Sequence, residues 1–159
     1  MVFEIRSRSF EPQAAMPKRF TQDDENIAPE LSWSSAPQGT KSLALIVSDP
    51  DAPDPAAPKM TYVHWVAYNL PSTANGIPEG GALPRGAKEG RNDAGGLGYV
   101  GPAPPKGRHR YFFKLYALDA VINGLDAPTK KELEAAMKGH VIGEAQIVGT
   151  YKRAEREAA

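Results

Sequence analysis

The chain contains no cysteine. This excludes a disulfide scaffold, thiolate metal ligands and a thiol nucleophile, and makes a reducing compartment the simplest setting. Nor is there an excess of either charge, since 19 Lys and Arg stand against 19 Asp and Glu. No overall field therefore draws the chain to nucleic acid or to an anionic membrane, and any charge selectivity has to be local. No apolar run approaches the roughly 20 residues of a membrane span. The start, Met1-Val2-Phe3-Glu4-Ile5-Arg6, lacks the charged-then-apolar layout of a signal peptide. Together these absences predict a cytoplasmic protein without a transmembrane segment. At 159 residues the expectation is one domain over 1–159, with a charged, Ala-rich tail at 152–159.

What the chain does have is glycine and proline, 15 of each, well above the usual shares of about 7% and 5%. So many breakers leave little room for long helices. The segments 3–10, 31–33, 42–48, 62–69, 110–118 and 145–151 are rich in Val, Ile, Tyr, Phe and Trp and bounded by turn residues. They predict an all-β-dominated fold, sandwich or barrel-like, with one or two short helices. One helix is signalled by Thr129-Lys-Lys-Glu132, a capping box, followed by the apolar stripe Leu133, Ala136, Met137 and a stop at Gly139. Residues 70–108 hold most of the remaining Gly and Pro without sustained periodicity, and loops that long are usually functional or disordered.

The acidic stretch Asp49-Pro-Asp51-Ala-Pro53 follows the apolar run Leu43–Val47. The prolines restrict the backbone and so limit the freedom of both carboxylates. Asp and Pro also simply end strands well. His64 lies in Tyr62–Tyr68, where alternation assigns Tyr62, His64, Val66 and Tyr68 to one face and Val63, Trp65 and Ala67 to the other. Taken alone, such a ring reads as a core histidine bonded to backbone. His109 opens a strand below the rigid loop Gly101–Gly107 and shares a face with Tyr111. His140, after the helix stop, needs no role beyond the helix C-terminus.

Other motifs fail. Gly96-Leu-Gly-Tyr-Val-Gly101 matches G-x-G-x-x-G, but Pro102 and the prolines beyond forbid the helix that would hold a pyrophosphate. Asp-x-Asp with two histidines could ligate a divalent metal, but nothing in the spacing supports it. No metal and no cofactor are expected.

Asp49-Pro-Asp-Ala-Pro53, His64-Trp65, Gly101-Pro-Ala-Pro-Pro-Lys-Gly107 and His109-Arg-Tyr111, in this order, resemble the phosphatidylethanolamine-binding protein family, and more narrowly its bacterial and archaeal Raf kinase inhibitor-like branch. Upstream, Asn26-Ile-Ala-Pro29-Glu-Leu31-Ser-Trp33 is similar to the family's N-terminal signature. The resemblance implies an antiparallel β-sandwich with a small pocket at one edge. It implies pocket residues Asp49, Asp51, His64, Pro105, His109 and Tyr111. Tyr62 stands at the rim, where animal members carry Trp. It also implies binding of phosphate-type anions or headgroups such as phosphoethanolamine. The inventory suits that role if imidazole N–H, phenol O–H and a backbone N–H near Gly101 donate to an anionic oxygen. A carboxylate would then either fix an imidazole so that its other N–H faces the ligand or meet the ammonium of ethanolamine.

The reading that results is a non-catalytic binding protein for a small anion, with no nucleic-acid partner and, on the resemblance, a homodimer. The alternatives are a protein-interaction inhibitor of kinases or serine proteases, acting through a loop within 70–100, and a small hydrolase using an Asp–His pair. No nucleophile accompanies that pair.

Overall fold

The computed structural model describes residues 2–34 and 36–153. Eight strands and one α-helix follow in chain order: β1 Glu4–Arg6, β2 Leu31–Ser34, β3 Ser42–Ala52, β4 Met60–Pro71, β5 Gly76–Ile77, β6 Lys88–Glu89, β7 His109–Leu118, α1 Lys130–Met137 and β8 Val141–Tyr151. They form a three-stranded sheet in the order β1-β2-β5 and a five-stranded sheet in the order β6-β4-β3-β7-β8, with every pairing antiparallel. The all-β character expected from the breakers is observed, as the antiparallel sandwich that the family resemblance implies.

The main core lies between the sheets. Ile5, Leu31, Trp33 and Ile77 of the small sheet meet Leu43, Leu45, Val47, Trp65, Phe113 and Leu115 of the large one. Each such aliphatic or aromatic side chain contributes about 1.5–3 kcal/mol when fully buried. The alternate residues of β3, Ala44 and Ile46, face the other way and pack with Val66, Tyr68 and Leu118 beneath α1, through Leu133 and Met137. β3 is thus covered on both faces, which explains its unbroken apolar run. The Thr129 capping box forms as expected: Glu132 N–H donates to Thr129 Oγ1 and Thr129 N–H to Glu132 Oε1.

Several boundaries move. β1 is three residues long rather than the run 3–10. β3 continues through Asp49-Pro50-Asp51-Ala52, and β8 begins at Val141. The expected tail falls mostly on 154–159, outside the described residues.

Alternation along β4 also fails at one point. Val47 pairs with Trp65 but Ser48 with Val63, so His64 is the extra residue of a bulge. Val63 joins Val66 and Tyr68 on the helix side, while Trp65 and Ala67 face the main core. The Tyr62 and His64 rings lie 4.9 Å apart, and His64 meets the core residue Tyr111 at 5.2 Å. His64 therefore shares a face with Tyr62 but not with Val66 or Tyr68, because the bulge re-aims it.

Candidate functional site

At one end of the large sheet the strands β3, β4 and β7 open onto a cavity of about 340 Å³. Asp49, Tyr62, His64, Pro105, His109 and Tyr111 line it, as the motifs suggest. Gln22, Ala52, Pro53, Met60, Ala103 and Pro104 line it as well. Met60 could have been found by extending the period-two face of Tyr62 and His64 one step back, and Ala52, Pro53 and Pro104 lie within or beside the quoted motifs. Gln22 comes from a distant turn and carries no such signal.

His109 is wholly buried. Its Nδ1 is 2.5 Å from Asp49 Oδ2, and its Nε2 lies 2.8 Å from the Lys106 carbonyl and 3.1 Å from that of Pro53. Carbonyls only accept, so Nε2 carries a hydrogen and donates it to the loop. Asp49 does fix the ring. The second N–H nevertheless ties together the two proline-rich walls instead of facing a ligand, which corrects the expectation for this histidine. Gly107, at φ +77, makes the turn between wall and strand, where any Cβ would lie 2.9 Å from Pro55.

Asp51 is outside the lining. Its Oδ2 accepts from the N–H and Nε of Arg110, at 2.9 and 3.0 Å, and its Oδ1 accepts from Nη2 at 2.9 Å. Its own N–H donates to Asp49 Oδ1 at 2.7 Å. The Arg110 bonds hold the Asp51 carboxyl below the usual carboxylate range, against the upward push of burial. Asp51 thus braces Asp49 and does not touch the cavity. Gly101 is also absent from it. Its N–H donates to Asn26 Oδ1 at 2.6 Å and its carbonyl accepts from Gln22 Nε2 at 3.0 Å. The glycine is required because a Cβ would meet the Phe20 carbonyl oxygen at 2.3 Å. The Gly101 amide is therefore no donor to a ligand.

The lining keeps side-chain polar atoms outside the protein's own hydrogen bonds at Tyr111, His64 and Tyr62. The Tyr111 hydroxyl is buried with no hydrogen-bond partner, in a residue only 1% exposed. Burial, then the Asp49 charge, pushes its phenol far up, so it stays an O–H donor. His64 donates from Nδ1 to the Val100 carbonyl at 2.7 Å, and the Val100 N–H returns a bond to the His64 carbonyl at 3.0 Å. This leaves Nε2 for the cavity. Burial lowers the His64 pKa, outweighing the Val100 bond and the Asp49 and Asp93 charges. None of the lining residues is Lys or Arg. Among the described residues no three His, Asp or Glu side chains gather as a metal site. His140 bonds Asp119 at 2.8 Å on the far surface.

The sequence model of the phosphatidylethanolamine-binding protein family matches residues 6–152. The chain belongs to the phosphatidylethanolamine-binding protein family. It is 46% identical over 153 residues to the UPF0098 protein of Methanothermobacter thermautotrophicus, covering 94% of this chain and 98% of that one. A Chlamydia trachomatis protein described as a phosphatidylethanolamine-binding protein homolog superposes with a TM-score of 0.89 at 38% identity, covering 96% of this chain and 99% of that one. YbcL of E. coli, described as a new member of the mammalian family, gives 0.85 at 31% identity with the same coverage. The cavity of this family member is lined by Asp49, His64, Pro105, His109 and Tyr111 of the family motifs, with Asp51 and Gly101 outside it. No helix among the described residues is long and apolar enough to cross a membrane.

Proposed function

We propose that the protein is a non-catalytic binding module whose cavity takes a phosphate-type group, free or as a headgroup such as phosphoethanolamine. The observation that carries this reading is the orphaned Tyr111 hydroxyl. A buried O–H without a partner costs about 1–3 kcal/mol, and a ligand oxygen placed there removes that cost. The dozen lining residues include no Lys or Arg, so binding is modest and reversible. The apolar rim of Met60, Ala52 and the prolines suits the short carbon chain of a headgroup.

Against hydrolysis, the Asp49–His109 pair has no free nitrogen with which to take a proton from water. The test is an NMR titration with phosphate and phosphoethanolamine. Tyr111 and His64 signals shift at millimolar ligand, and unchanged spectra refute the reading.

Protein-interaction inhibition is the second reading. Asn92 braces the loop 92–98: its Oδ1 accepts from the amides of Ala94 and Gly96, and its Nδ2 donates to the Gly98 carbonyl. The loop holds Leu97 at 59% exposure. This role predicts inhibition within a protease or kinase panel that survives Tyr111→Phe and is lost in Leu97→Asp.

A further inference from the structure

Beside the Tyr62 hydroxyl, which can donate or accept, two polar groups of the lining are of opposite kinds. Tyr111 offers an O–H. His64, its Nδ1 hydrogen committed to a carbonyl, offers the Nε2 lone pair. The remaining groups near the ring do not change that sign. His109 and Asp49 satisfy each other across β7 and β3. Asp93 accepts the Val63 N–H, and Tyr62 flanks the ring on its own strand. A fully deprotonated tetrahedral anion would place an oxygen lone pair against the nitrogen lone pair.

We propose that His64 makes the cavity selective for a phosphate group that carries its own O–H, as inorganic phosphate or an acidic phosphomonoester, over anions without one, including the phosphodiester of an intact phospholipid. In the bound state the ligand O–H donates to His64 Nε2 while a second ligand oxygen accepts from Tyr111. No bond is made or broken, and one proton is shared between ligand and imidazole. The inference rests on the binding role proposed above and names its ligand class. An anion lacking the O–H is admitted only with a proton taken up at Nε2, and burial of the ring makes that uptake unfavourable at neutral pH.

The test compares inorganic phosphate with sulfate, two tetrahedral anions, and phosphoethanolamine with glycerophosphoethanolamine, the diester counterpart, by calorimetry on the full chain. At pH 8 inorganic phosphate is expected to bind roughly tenfold or more tighter than sulfate, since a mismatched buried polar contact costs about that much. At pH 6, where about half of a phosphomonoester still holds its second proton, phosphoethanolamine is expected to outbind the diester. In His64→Gln the amide can donate to either kind of oxygen, so the phosphate-to-sulfate ratio falls toward one. The wild-type comparison needs no variant and so stands even where His64→Gln does not fold. Sulfate or the diester binding as tightly as the acidic phosphate overturns this inference while leaving phosphate-type binding intact. Absence of binding by all four overturns both.

Discussion

Asp49 Oδ2 and His109 Nδ1 stand 2.5 Å apart, at side chains only 4% and 1% exposed. The pair is sealed, because the other imidazole nitrogen is held by the Lys106 and Pro53 carbonyls and the other carboxylate oxygen by the Asp51 amide. The dyad lines the cavity and at the same time forms a buried strut joining β3, β7 and the two proline-rich walls.

Either Asp49→Ala or His109→Ala is therefore expected to destabilise the fold by about 3–5 kcal/mol, the usual cost of removing one member of a buried pair. Urea denaturation measures it. A variant of full stability whose only defect is ligand affinity would contradict the strut.

Tyr111→Phe should behave in the opposite way. Removing an orphaned buried hydroxyl leaves stability unchanged or higher by up to about 1 kcal/mol, while phosphate affinity falls about tenfold. Thermal unfolding together with a phosphate titration separates the two effects, and a destabilised variant of unchanged affinity would show that the hydroxyl serves the fold.

Acid stability carries the mark of Asp51. Its carboxyl is held below its ordinary 3.8 chiefly by Arg110, so between the folded and unfolded values the unfolded chain binds more protons. The stabilisation is present above 3.8 and is lost as pH falls through the folded value. Because the Arg110 side chain is 53% exposed, screening keeps the pair's worth near 1 kcal/mol. Arg110→Met should lower stability by about that amount at neutral pH and lose correspondingly less on acidification. An unchanged acid limb in urea melts from about pH 6 to pH 2 would refute this.

Gly101→Ala tests the loop above the cavity. The added methyl would meet the Phe20 carbonyl oxygen at 2.3 Å and Asn26 Oδ1 at 2.7 Å. A loss of about 1–3 kcal/mol or more is expected, as in overpacked interiors, with the Gly101 amide freed from Asn26 and exchanging faster with solvent. Unchanged exchange and stability would mean that the turn at 20–26 yields freely.

The all-β character and the capped helix were legible from local rules, turn residues around short apolar runs and a capping box, while half of the lining was legible through the family resemblance of four motifs in order. Three things were not. The bulge at His64 breaks the period of two that alternation assumes, and only the pairing of Val47 and Ser48 with β4 reveals it. The allegiance of Asp51 depends on Arg110, a residue 59 positions away that composition presents as a solvated charge. The amide of Gly101 is claimed by Asn26 across 75 positions. Residue types announce which groups can bond. Which of them are already taken is decided by long-range packing, and that decides which atoms remain for a ligand.

The pairing of His109 with Tyr151 and of Arg110 with Thr150 has a bearing on biosynthesis. While the nascent chain is being made, β7 emerges with the sealed histidine at its start but without the neighbour that covers its outer edge. Until residues 141–151 leave the ribosome, that edge is a template for any other strand, and residues 13–16, which clasp β8 at Val148 and Thr150, have nothing to grip. The strand that carries His109 and Tyr111 thus gains its second neighbour only from residues 141–151.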